Sequence, residues 1–112
     1  MNDTRHRRSG DPQLAIIFWR DIPAQVKARA GRERASVKLP DRFMVAVDAA
    51  ATKAGKTSDE DYIAEWREEK RPCGPDIQAE AETEAMSITQ SYPSNLIKTY
   101  VRNEGWTPER LV

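Results

Sequence analysis

Residues 24–39 read AQVKARAGRERASVKL. Small or aliphatic side chains fall on every second position on either side of Gly31: Ala24, Val26, Ala28 and Ala30 before it, Ala35, Val37 and Leu39 after it. Between them stand Gln25, Lys27 and Arg29, then Arg34, Ser36 and Lys38. A period of two is that of a strand whose neighbouring side chains point to opposite faces, whereas an amphipathic helix repeats near 3.6. The stretch therefore predicts two strands joined as a hairpin around Gly31-Arg32-Glu33, apolar on one face and basic on the other.

Upstream, Leu14-Ala15-Ile16-Ile17-Phe18-Trp19 is short, aliphatic and aromatic, which suits a strand buried on both faces. Asp21-Ile22-Pro23 breaks it, because proline lacks an amide donor and turns Ile22 away from helix. In FWRDIPAQV, residues 18–26, the turn reading accounts for every residue. Phe18 and Trp19 point to opposite faces, Arg20 and Asp21 pair across the turn, and only Trp19 and Arg20 support a binding surface.

Downstream the period turns helical. Pro40-Asp41 opens a segment in which Phe43, Val47, Ala50 and Ala54 share a face, and Gly55 closes it. Ser58 with Asp61 resembles a capping box, and a helix over 59–71 follows, with Tyr62, Ile63 and Trp66 as its buried stripe and Arg67, Lys70 and Arg71 in its last turn. Pro72-Cys73-Gly74-Pro75 stops it. Residues 76–90 give a helix with a thin apolar stripe (Ile77, Ala81, Ala85, Ile88, with Glu84 beside it), weakly anchored. Pro93 starts another, with Leu96, Ile97, Tyr100 and Val101 on one face, ending at Asn103-Glu104-Gly105, and Trp106 packs back on it.

The predicted fold is α+β. A small antiparallel three-stranded sheet over 14–39 is covered on one face by helices near 41–54 and 59–71, with one or two further helices after 76. Phe43, Val47, Tyr62, Ile63 and Trp66 meet Val26, Val37 and Leu39 in the core. Residues 1–12, basic through Arg5, His6, Arg7 and Arg8 and without apolar period, read as a disordered arm before a single domain at 13–112.

A length of 112 residues holds one modest core. Eighteen basic residues balance eighteen acidic ones, but unevenly: residues 1–56 hold 12 Lys/Arg against 6 Asp/Glu, a net +6, and 57–112 hold 6 against 12, a net −6. The halves either neutralise each other inside the fold or form an electrostatic dipole, and the sequence leaves both open. A single cysteine excludes an intrachain disulfide and suits a reducing compartment. No stretch approaches the roughly 20 apolar residues of a membrane helix. A cytoplasmic protein is expected.

No phosphate loop, dinucleotide fingerprint or spaced metal-ligand set occurs. The single histidine lies in the arm, and Cys73 follows a helix end whose dipole would raise its pKa. The carboxylates neighbour lysines and arginines as on solvated helix faces. No catalytic residue, metal site or cofactor is therefore expected. The basic side chains carry more: Lys27, Arg29, Arg34 and Lys38 share the face opposite the apolar one, with Arg32 in the turn and Arg42 close by. Such a strip suits an acidic protein surface or phosphates. It lacks the aromatics of sheets that stack bases, and the acidic helices could instead cover it.

The order of these pieces resembles a family. Trp19-Arg20-Asp21-Ile22-Pro23-Ala24-Gln25-Val26, then Leu39-Pro40-Asp41-Arg42-Phe43 with Ala46, Asp48, Ala49 and Ala50, then Asp61-Tyr62 and Trp66, are similar to the small bacterial virulence-factor domain. The resemblance covers about 14–71 and leaves 76–112 largely outside. It implies no established activity and supplies no catalytic residues. Related short proteins look like companions of one-carbon and corrinoid methyl-transfer enzymes. The leading expectation is an accessory module that binds another protein, with Trp19, Arg20, Lys27, Arg29, Arg32, Arg34 and Lys38 as candidate contacts. The alternative is a nucleic-acid or anionic-cofactor binder using the basic face. A small enzyme built on Arg20, Asp21 and a further carboxylate ranks last. Oligomeric state is left open.

Overall fold

The alternation at 24–39 folds as a hairpin. In the computed structural model, which describes residues 10–108, β2 (Ile22–Ala30) and β3 (Glu33–Lys38) pair antiparallel. Ala30 lies opposite Glu33, so the loop is Gly31-Arg32 alone, and Gly31 takes φ +61°, a conformation open to glycine without strain. The basic arm expected at 1–12 lies, but for its last three residues, outside the described residues.

Strand β1 (Gln13–Trp19) pairs antiparallel with β2 and puts Ile16 opposite Val26. The register shifts between Ile17 and Phe18, so Ile17 faces Gln25 and Phe18 faces Pro23. Proline cannot donate to a ladder, and this irregularity is where a sheet tolerates it. Leu14 and Ile16 are buried while Ala15, Ile17 and Phe18 are only partly so, which corrects the expectation of burial on both faces. The continuous apolar run reflects a strand bonded on both edges.

The sheet has four strands, not three. After α1 (Asp41–Ala54), α2 stops at Ala64 (Asp59–Ala64), and residues expected to extend it form β4 (Trp66–Pro72), antiparallel to β1, in the order β3-β2-β1-β4. Strand β1 would otherwise leave the amides and carbonyls of its second edge unpaired. The charges of 66–72 also pair as strand neighbours do, two residues apart on one face: Arg67 with Glu69 at 2.6 Å and Lys70 with Glu68 at 3.6 Å. The Ser58 cap is present, its Oγ accepting from the Asp61 amide at 3.2 Å.

Helix α3 (Ile77–Ser91) lies across β2 and β3, and α1 packs on β2 and on α4 (Ser94–Arg102). The helix expected to be weakly anchored is thus a main cover of the sheet. Ile77, Ala81, Ala85 and Ile88 are buried, and small alanines let α3 approach closely. Asp76 caps it by accepting from the Ala79 amide. Arg71 on β4 ties it down through Glu84 at 2.5 Å.

One apolar cluster runs through the molecule, from Leu14, Ile16, Val26 and Leu39 through Phe43 and Val47 to Ile97 and Tyr100. Ile63, expected in this core, is 64% exposed, because the six-residue α2 ends before its stripe can develop; Tyr62 and Trp66 are half-buried. No helix among the described residues is long and apolar enough to cross a membrane.

Candidate functional site

The four strands place three rungs of side chains on the sheet face turned away from α3. Across the sheet these read Arg34, Arg29, Gln13, Pro72; then Ser36, Lys27, Ala15, Lys70; then Lys38, Gln25, Ile17, Glu68. The alternate rungs, beginning with Ala35, Ala28 and Leu14, point into the core. Lys27, Arg29, Arg34, Lys38, Lys70 and Glu68 are exposed, so five cations meet one carboxylate. A depression of about 380 Å³ lies among them, and the residues lining it belong to the four strands alone. The acidic helices do not cover this face. The opposition of charge between the halves is therefore partly spatial, as Asp59, Glu60 and Asp61 on α2 and Glu82 on α3 are exposed elsewhere.

Arg29 and Arg34 are direct cross-strand partners. Like charges placed opposite each other destabilise an antiparallel pair. No carboxylate is paired with either guanidinium among the described ion pairs, although Arg34 donates weakly to the Gly31 carbonyl at 3.4 Å. Lys27 and Lys70 flank Ala15 from its two sides, so the floor of the depression is small and its walls are cationic. Arg32 sits exposed in the turn at the same end. Arg42, expected near the strip, is instead at the end of α3, where its Nη2 donates to the carbonyls of Thr89 (2.9 Å) and Tyr92 (3.3 Å).

Trp19 and Arg20 are not part of this surface. Trp19 is fully buried, donates its Nε1 to the Tyr62 carbonyl at 2.9 Å and stacks on Tyr62. Arg20, 6% exposed and at φ +53°, lies between the Trp19 and Trp106 rings at 5.2 and 4.8 Å. Arg20 and Asp21 do not pair with each other. Arg20 reaches the Glu104 carbonyl and the Glu65 carboxylate, and Asp21 binds Arg67. Trp106 packs on Arg20 and is also hydrogen-bonded through its backbone to Asn103 at the end of α4. These contacts use up FWRDIPAQV as a joint, and the turn reading accounts for it.

The sequence model described as virulence factor matches residues 17–101. The chain belongs to the virulence-factor family. Comparison with curated proteins and with solved structures gave no match. The family match runs past the 14–71 resemblance and takes in α3 and most of α4, so the C-terminal helices belong to the shared domain. That agrees with α3 covering the sheet in this family member.

A helix continued over 59–71 leaves Trp66, Glu68 and Lys70 out of the face that β4 gives them. Residues 67–71 are charged at every position, so no alternation of apolar with polar side chains marks them as a strand. Trp66 stands at the far end of the face beside Ile17 and Lys38, edge-on to Tyr62, so an aromatic does border it. Among the described residues no three His, Cys, Asp or Glu side chains converge as a metal site. Burial, then Glu80 nearby, raises the Cys73 thiol above its ordinary pKa. Cys73 precedes α3 rather than ending a helix, so the dipole argument does not apply, although the direction is the same.

Proposed function

We propose that this virulence-factor family member is a non-catalytic binding module whose open sheet face docks an acidic segment of another protein. The observation that carries the reading is the opposed pair Arg29 and Arg34 within a five-cation face. A pairing that costs stability is maintained where a ligand can use it. The depression is shallow, and its central rungs offer Ala15 and Ser36 rather than rings, which favours carboxylates on an extended protein segment over stacked bases. One-carbon and corrinoid methyl-transfer enzymes, suggested by the family resemblance, are the first partners to try.

The test is retention of a defined partner from nuclease-treated cell extract by wild type and by Arg29→Glu/Arg34→Glu, at low and high salt. Partner retained by wild type and lost by the variant supports the reading; equal retention by both defeats it. A second reading, single-stranded nucleic acid, is favoured by Trp66 and Ile17 at the end of the strip, where one base could stack. It requires an oligonucleotide affinity that falls steeply with salt and weakens on Trp66→Ala.

A further inference from the structure

On the helical side of the molecule a groove of about 530 Å³ runs between α1 and α4. Its floor and lips are apolar pairs one turn apart, Val45 with Ala49 on α1 and Ile97 with Val101 on α4, and Val45 is 65% exposed. Its rim is cationic: Arg42, Lys98 and Arg102 line it, and no carboxylate does. Arg42 is held in place by its bonds to the end of α3 and by the Phe43 ring beneath it at 4.9 Å.

We propose that this groove binds an amphipathic helix of a partner protein, apolar along one stripe and acidic on its flanks. Side chains one turn apart on two neighbouring helices form parallel ridges, and the groove between them accepts a third helix. The fixed Arg42 and the rim residues Lys98 and Arg102 select acidic flanks. Residues 1–9 do not fit, because Arg5, Arg7 and Arg8 carry the same sign as the rim. A second copy docked groove to groove across a two-fold axis would set the three cations against themselves. The sheet face takes no part in this site.

The probe is a fluorescein-labelled helical peptide of about 15 residues, four turns, with Leu along one stripe and Glu on both flanks. A matched peptide carries Lys on the flanks. Anisotropy with the full chain should show the Glu peptide binding at least about tenfold tighter than the Lys peptide. Val45→Glu and Lys98→Glu/Arg102→Glu should each weaken it at least about tenfold, while Arg29→Glu/Arg34→Glu leaves it unchanged. Val45 is exposed, so its variant should keep the circular dichroism of wild type; should it not fold, the rim variant decides. Absent or equal binding of the two peptides overturns the proposal. So does a wild-type dimer that Val45→Glu converts to monomer in sedimentation, or Val45-dependent uptake by anionic vesicles in place of the peptide.

Discussion

Asp21 binds Arg67 through one carboxylate oxygen at 3.0 Å and with the other accepts from the Thr107 amide and hydroxyl at 2.8 and 3.0 Å. The same turn sends its Asp21 amide to the Gly105 carbonyl and receives the Arg67 Nε on the Arg20 carbonyl. Three stretches far apart in sequence, the β1–β2 turn, the start of β4 and the segment after α4, are joined at one partly buried carboxylate. Burial alone would lower the Arg67 pKa, but its partners Glu69 and Asp21 more than offset that and hold it raised. Asp21→Ala should therefore cost about 2 kcal/mol, and Asp21→Asn, which keeps the shape but weakens charge-assisted bonds, about 1 kcal/mol. Urea unfolding of the two variants checks this, and equal midpoints with wild type would mean that the joint carries no stability.

Two glycines with positive φ separate backbone strain from crowding. Gly55 closes α1 at φ +75° with nothing within 4 Å of where a Cβ would stand. At Gly105, φ is +94° and a Cβ would lie 3.0 Å from Trp19 Cζ3 and 3.2 Å from Arg20 Cδ. Gly55→Ala should cost about 1 kcal/mol from the backbone alone. Gly105→Ala should cost about 3 kcal/mol, because Trp19 is fully buried and has no room to yield. Thermal unfolding that ranks the two in the opposite order would place the strain elsewhere.

Tyr92 predicts a pH dependence at the alkaline end. Burial, and then Tyr100 beside it, push its hydroxyl up to about 12 from the ordinary 10.0. Between those values the unfolded chain releases this proton and the folded chain keeps it. Deprotonation then favours unfolding, so Tyr92's contribution is complete below pH 10.0 and is lost as pH rises through about 12. Stability of wild type should fall over that interval more than that of Tyr92→Phe, measured by urea midpoints at a series of pH values. Parallel curves would assign the loss to other groups.

What the sequence disclosed follows from how local each signal was. The hairpin at 24–39, the Ser58 cap and the apolar spacing in α1, α3 and α4 are set by neighbours within a turn or a strand pair, and the structure has them. Residues 66–72 satisfy a charged helix end and a charged strand equally well; the decision comes from β1, whose second edge needs a partner about 50 residues away in sequence. Losing β4 removed Lys70, Glu68 and Trp66 from the candidate face. A helix running on to residue 71 would also bury Ile63, which the six-residue α2 leaves exposed. Trp19 and Arg20 look like surface residues in a linear motif and are core residues in space, because Tyr62, Glu65 and Gly105 close over them from distant segments.

The basic face itself supplies the last expectation. If Arg29 and Arg34 oppose each other for the benefit of a ligand, the free protein bears a repulsion that a neutral side chain would relieve. Arg29→Gln should raise stability by about 0.5 kcal/mol at low ionic strength, and the gain should shrink toward zero as salt screens the wild-type pair. The same variant should weaken capture of the acidic partner. Chemical denaturation at two salt concentrations beside a binding assay separates the alternatives. A variant that is less stable at both salts would show the guanidinium packing its stem along the sheet and contributing to the fold. A variant that is more stable and binds as well as wild type would remove the opposed arginines from the recognition surface.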